Sequence, residues 1–215
     1  MAGRQELRDI GLHIRPAQPQ DLDVVCAICL VTGDAGKDAT PLYADPRLIG
    51  HIYAAPYLAL GGTIAFVAED PDGVAGYAVG TGDTRAFERR LEAEWWPDLR
   101  NTYPEPDGER SGWSPDDLRA WTIHHPKPVP DAVVRAYPAH IHMNLLPRAQ
   151  GKGIGTKLLE TWIAAARSCG VTAVHAGVSA ANRDGLKFWT ARGFEPVLED
   201  LQGGSRGTVW CGRPL

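Results

Sequence analysis

The chain is short of the features that mark whole classes of protein. It holds no block of Lys and Arg: 22 basic residues stand against 26 acidic ones, a formal net charge of −4 at pH 7. Nucleic-acid binding rests on neutralising phosphates, so nucleic acid is not the expected main partner, although a local basic patch fits the count. Long apolar runs are missing as well. Residues 54–60 and 162–166 fall far below the ~20 residues of a membrane helix, and residues 1–9 are too polar for a secretory signal. A soluble, cytoplasmic protein with no membrane partner is the default expectation. Cysteine is scarce, at four residues. Cys26 and Cys29 form a Cys-x-x-Cys, but no second Cys/His pair stands at ligand spacing, so no metal site is expected. With Leu22, Val25 and Leu30 they instead follow the i, i+3, i+4, i+7, i+8 spacing of an apolar helix face, where a thiol acts as a small hydrophobe. Internal repeats and low-complexity tracts are also lacking.

What is present is an ordinary globular composition over 215 residues, 44% apolar and 22% charged. A chain of this size can bury roughly 70% of its unfolded surface in one core, so a single domain over residues 1–215 is expected. Periodicity and punctuation predict a strand over 12–15, a helix from about 21 to 33, and a second helix over 46–57. Residues 63–69 and 74–80 alternate around Asp70-Pro71-Asp72-Gly73 and read as an antiparallel hairpin. From Thr84 a charged helix carries Phe87, Leu91 and Trp95 until Pro97 breaks or kinks it. It opens a helical, proline-rich insertion over about 84–138, inside which Ser114 caps a short helix with Asp117 at N3. So long an excursion reads either as a lid over a site or as a surface insertion. The second half alternates: strand 139–146, helix 153–168, strand 171–179, helix 183–192, then strands 194–201 and 207–211 around Gly203-Gly204. The order predicts an α/β (α+β) fold, a mixed central sheet flanked by helices.

The most specific local signal lies between a strand and a helix, in Leu145-Leu146-Pro147-Arg148-Ala149-Gln150-Gly151-Lys152-Gly153-Ile154-Gly155-Thr156. Successive backbone N–H groups in such a turn, at a helix N-terminus, form a nest for a phosphate or pyrophosphate. It is not a P-loop, because position 146 is Leu and position 153 is Gly rather than Ser or Thr. It is not the dinucleotide fingerprint either: the spacing is Gly-x-Gly-x-Gly, and residues 171–179 hold no acid.

It does match the Gln/Arg-x-x-Gly-x-Gly/Ala signature. With the x-Pro step before it, the amphipathic helix after it, Asn182, and Phe188-Trp189-Thr190-Ala191-Arg192-Gly193-Phe194, the chain resembles the GNAT superfamily of acyl-CoA-dependent N-acyltransferases. Residues 48–56, the hairpin, and Val209-Trp210-Cys211-Gly212-Arg213-Pro214-Leu215 resemble the acetyltransferase-like C-terminal domain of O-GlcNAcases and its bacterial stand-alone relatives.

The resemblance implies acetyl-CoA as the acyl donor. Its pyrophosphate would rest on the amides of Gln150, Gly151, Lys152, Gly153, Ile154, Gly155 and Thr156, with Arg148 and Lys152 adding charge. The backbone of Asn144, Leu145 and Leu146 would pair with the pantetheine arm like an added strand, Asn182 would bond the arm from the other side, and Trp189 would pack against it. Trp189 stands where many members carry a Tyr that protonates the leaving thiolate, and indole has no titratable proton near neutrality. Tyr77, a water or unassisted departure would then serve. For the base, His140 and His142 alternate along residues 139–144 and share one face, and histidine titrates in the useful range; strand histidines without catalytic duty are the other reading. Asp83 is a further candidate base, or the cap of the helix beginning near Thr84. Tyr43, Tyr53, Tyr57, Trp95, Trp96 and Trp121 line an acceptor pocket or fill the core. The function implied is acetyl transfer to a primary amine, on a cationic small molecule or a Lys side chain. The alternative is a catalytically silent domain that binds acyl-CoA or a protein partner. A homodimer is compatible with the family.

Overall fold

The computed structural model describes residues 11–201 and 207–215. Within them, seven strands form one sheet in the order β1-β2-β3-β4-β5-β7-β6. These are β1 (His13–Pro16), β2 (Ile64–Asp70), β3 (Gly73–Thr81), β4 (Ala139–Leu145), β5 (Ala173–Ser179), β6 (Glu195–Asp200) and β7 (Thr208–Pro214). Neighbours from β1 to β4 run antiparallel, as do β5, β7 and β6. β4 and β5 are parallel and join the two halves through two rungs, Ala139↔Val174 and His140↔His175. The mixed sheet and the hairpin are as the sequence predicts. Gly203-Gly204 lies outside the described residues.

The helices cover both faces. On one side α8 (Ile154–Ser168) lays Ile154, Leu158, Leu159, Trp162, Ile163 and Ala166 on the sheet, the stripe its spacing predicts. There α8 meets Ile141, Val174, Ala176 and Phe194 in the main core. On the other side lie α1 (Leu22–Val31), α2 (Leu48–Tyr53), α3 (Ala55–Ala59) and α4 (Thr84–Arg90). Val25, Ile28 and Cys29 of α1 pack there with Tyr57, Val67, Tyr77, Val79 and Phe87. Cys26 and Cys29 are both buried, in keeping with the apolar-face reading.

Three local outcomes refine or depart from the sequence reading. The single helix expected over 46–57 is two short ones, α2 and α3, broken at Ala54 with Pro56 in the first turn of the second. Of the break or kink expected at Pro97 it is the kink that forms: Leu91–Trp95 winds as a π-helical turn and α5 (Trp96–Thr102) follows. Pro97 has no N–H to donate and its ring crowds the carbonyl four residues back, which the wider turn relieves. Inside the proline-rich insertion, α6 (Pro115–His124) starts at the Ser114–Asp117 capping box, and a further helix, α7 (Asp131–Ala136), is unanticipated. The insertion has a core of its own. Trp96, Leu99 and Tyr103 pack with Ala120 and Ile123 against Leu48.

Candidate active site

The site begins where the sheet comes apart. After His140 and His175, β4 continues to Leu145 and β5 to Ser179, each still paired on its outer side but no longer with the other. Leu146 donates its N–H to Ala75 O in β3. Strand alternation then turns the backbone of His142 and Asn144 to β3 as well, and leaves Met143 and Leu145 facing the gap. This corrects the expected set. Of Asn144, Leu145 and Leu146, only Leu145 offers its main chain to the gap, and Met143 is the residue that was missed. Gln150 reaches the same edge, donating from Nε2 to Leu145 O at 2.9 Å.

Beyond β4 the chain turns through Pro147 into the glycine loop. Gly151 and Gly153 both hold left-handed φ angles, +72° and +74°, and a Cβ built on either would meet no atom within 4 Å. The loop is thus shaped by glycine while the space over it is open. Gly153 is the N-cap of α8 and no side chain caps that end, so the first amides of a 15-residue helix face outward. A diphosphate fits this cradle, through backbone donors and the favourable end of the helix dipole. Gly155 serves differently: a Cβ there would lie 3.0 Å from the Phe188 ring and 3.3 Å from Leu145, so its role is close packing of α8 on its neighbours.

The charges expected beside the phosphates do not both lie free. Arg148 is held by Asp70 at 2.9 and 3.2 Å and also donates to Gly73 O and Val74 O, which ties the loop to the β2–β3 turn. That pairing holds the Asp70 carboxyl below its ordinary range. Lys152 is exposed. The Thr156 hydroxyl accepts from Arg192 at 3.0 and 2.6 Å, and that guanidinium lies over the Phe188 ring.

α1 and the loop after it bridge the two halves across the gap. Asn144 donates from Nδ2 to Thr32 Oγ1 at 2.6 Å on the β4 side. On the β5 side the loop at Gly36 runs against Asn182, whose Oδ1 caps α9 (Arg183–Thr190) by accepting from Gly185 N at 2.8 Å. Trp189 is a second correction. It is buried in the main core, edge-on to Phe194 at 4.7 Å and to Phe188 at 5.4 Å, and only 7% exposed.

His140, His142 and His175 converge at the apex of the gap, with ring centroids 5.6 Å apart for the first pair and 5.7 Å for His140 and His175. The tautomer of His140 follows from its neighbours. Thr84 Oγ1 lies 2.7 Å from Pro138 O, which can only accept, so the hydroxyl proton goes there. His140 Nδ1–H therefore donates to Thr84 at 2.9 Å, and its Nε2 accepts from the Tyr57 hydroxyl at 2.6 Å. Burial, reinforced by the other two histidines, holds His140 well below its ordinary pKa. Burial raises the Tyr57 phenol. His140 is thereby committed to a structural chain of bonds rather than free to act as the base.

His142 is placed differently. It is half-buried, no hydrogen bond to its ring is seen among the described residues, and that ring stands 5.6 Å from the ring of Tyr57. Burial, with His175 nearby, lowers its pKa to about 4. His175 donates from Nδ1 to Tyr137 O at 2.7 Å and is also lowered to about 4 by burial. Asp83 is exposed and accepts from Ala86 N at 2.9 Å, as the cap of α4. Tyr77, the alternative proton donor, is buried against the Cys29 thiol with its phenol pushed well up. Tyr57 carried no signal that set it apart from a core aromatic, since its partner lies 83 residues away.

A sheet that parts beside a glycine-lined anion cradle defines an acyltransferase framework, and comparison with known proteins agrees. Residues 51–194 match the acetyltransferase (GNAT) family profile, and the chain belongs to that family. The crystal structure of SsHAT is 38% identical, with a TM-score of 0.82, covering 95% of this chain and 98% of its own. Protein O-GlcNAcase of Rattus norvegicus is 25% identical over 202 residues, 94% of this chain. The chain spans about a fifth of that relative's length, 22%. yncA of Salmonella typhimurium, solved with its cofactor acetyl-CoA, shares the fold at 18% identity and TM-score 0.54, covering 95% of this chain and 94% of its own. Acetyl-CoA is the acyl donor of the family. No described helix is long and apolar enough to cross a membrane.

Proposed function

We propose that this chain transfers the acetyl group of acetyl-CoA directly to a primary amine bound beside His142. The observation that carries the reading is the parting of β4 from β5 next to the open cradle over Gly151 and Gly153. Acetyl-CoA supplies an acyl thioester. The amides from Gln150 to Thr156 hold its diphosphate, with the exposed Lys152 adding charge nearby, and the main chain of Met143 and Leu145 aligns the arm as a missing strand would. The Nδ2 group of Asn182 faces the arm from the β5 side, and Phe188 rather than Trp189 borders it.

His142, kept neutral at physiological pH, accepts the proton that the amine nitrogen gives up as its bond to the acyl carbon forms and the bond from that carbon to sulfur breaks. The nitrogen becomes strongly acidic on attack, so a weakly basic imidazole suffices. His140, locked by Tyr57 and Thr84, fixes the strand from which His142 projects. The sulfur leaves with the electron pair and takes a proton from water, because Trp189 offers none. Asp83, committed to its helix cap, is not assigned a part.

Thermal unfolding with acetyl-CoA, CoA and ATP, each at high excess, tests the cofactor site. Ligand at about 100 times its dissociation constant adds roughly 2.7 kcal/mol, a shift of roughly 5–10 °C here. A shift with both CoA species and none with ATP supports the site. Release of free CoA thiol, faster with an amine panel than without, tests transfer. Binding without acceleration across a broad panel would favour the silent acyl-CoA-binding domain instead.

A further inference from the structure

The helical layer over the His142 face holds a guanidinium that has no counter-ion among the described residues. Arg119, on α6, donates from Nε to the Tyr43 hydroxyl at 3.0 Å and from Nη1 to the Tyr53 hydroxyl at 2.8 Å, and it lies over the Tyr53 ring at 5.6 Å. It is only partly exposed, and no carboxylate lies within salt-bridge distance among the described residues. The nearby acids are engaged elsewhere. Asp116, one turn back on α6, accepts from the amides of Ala44 and Asp45 at 3.0 and 3.1 Å. Asp45 accepts from Arg47 N and the Tyr103 hydroxyl. A half-buried cation is costly to hold without an anion, and phenols compensate it only in part.

The position of the cluster ties it to the acyl site. Tyr53 ends α2 and Tyr57 lies in α3 just beyond, its ring against His140 and His142. Arg119 also acts on the Cys29 thiol, which contacts Tyr77, the register partner of Asn144. The guanidinium therefore sits in the layer that covers the β3–β4 face bearing His142. Each phenol that accepts from Arg119 keeps its own O–H to donate, so the cluster offers the remaining N–H groups of the fork and two hydroxyls.

We infer that Arg119, Tyr43 and Tyr53 bind a carboxylate of the acceptor, so that the substrate is an amine that also carries one negative charge, as an amino acid does. A single guanidinium balances a single charge, which favours a carboxylate over a phosphate dianion. The mild overall acidity of the chain points the other way, to a cationic acceptor, but a local charge outweighs a net charge spread over the surface. The inference rests on the proposed transfer reaction for its substrate, though not for the binding site itself.

The test pairs each acceptor with its decarboxylated form: tryptophan with tryptamine, phenylalanine with phenethylamine, leucine with 3-methylbutylamine. Initial rates of CoA release are measured on the wild type and on Arg119→Met and Tyr53→Phe. In parallel, the thermal shift given by each compound in saturating CoA reads binding without turnover. The expected result is a preference of at least tenfold in kcat/KM for an amino acid over its amine. Arg119→Met should remove it through KM for the acceptor, with KM for acetyl-CoA unchanged. If Arg119→Met does not fold, Tyr53→Phe carries the test with a smaller loss. Carboxylate-dependent shifts that Arg119→Met abolishes, in a protein that acetylates nothing, would keep the anion site and sink the transfer reaction. Equal or better use of the decarboxylated amines, or no Arg119-dependent shift with any carboxylate, overturns the inference.

Discussion

Tyr57 gives its hydroxyl proton to Nε2 of His140 across 2.6 Å, between two side chains that are both buried. The bond links α3 to the base of β4, at the rung below which the sheet is joined and above which it parts. Replacing Tyr57 with Phe keeps the ring that stacks on Phe87 at 4.6 Å and removes only the donor. A buried acceptor left without a partner costs about 1–3 kcal/mol. Thermal melting should fall by several degrees, at roughly 2–4 °C per kcal/mol for a domain of this size. An unchanged melting temperature would show that the bond contributes nothing net.

The three histidines set a pH dependence with a definite sign. Each has a folded pKa below its unfolded value near 6.5, with His142 and His175 lowered to about 4. Between those values the unfolded chain binds protons that the folded chain refuses. Their contribution is therefore complete above about pH 6.5 and drains away as the pH falls toward 4. The melting temperature should decline across that interval, before carboxylates such as Asp70 begin to protonate. His175→Asn, whose amide can still donate to Tyr137, should flatten the decline; an equally steep curve would place the titration elsewhere.

His142→Gln removes the proton acceptor and keeps a polar side chain on β4. Positioned general bases contribute roughly 10²–10⁴-fold, so kcat should fall by about a hundredfold or more. The thermal shift with acetyl-CoA should not change, because the cradle is untouched. A variant with normal kcat would return the proton to water alone.

The glycines of the loop separate by what each substitution damages. Gly153→Ala forces a left-handed φ on an L-residue, at about 1–2 kcal/mol, and fills the open cradle, so acetyl-CoA affinity should drop more than stability. Gly155→Ala meets Phe188 and Leu145 instead and should cost about 1–3 kcal/mol of stability. Equal losses of affinity and stability in both variants would mean that the loop acts only as a hinge for α8.

Local features of the sequence proved readable where one short segment carries the whole physical cause. The hairpin at Asp70–Gly73, the Ser114–Asp117 capping box, the α8 stripe and the glycine turn all belong to that kind. What escaped depends on partners far apart in the chain. Nothing near Arg148 announces Asp70, 78 residues away, and Trp189 read as a cofactor contact because position in a motif does not say which face of a helix is buried. Which backbone groups of β4 face the gap was equally hidden. Alternation gives the period, but only the bond from Leu146 to Ala75 sets its phase.

The two rungs that join β4 to β5 leave the fold with a seam rather than a continuous sheet. Each lip of that seam is a strand edge in the middle of the molecule, a kind of edge most proteins keep covered or paired. A ligand whose amides fill it finishes the architecture as well as reacting, so occupancy and integrity become the same quantity. Slow amide exchange at Met143 and Leu145 would then report the donor's presence as faithfully as any assay of its consumption.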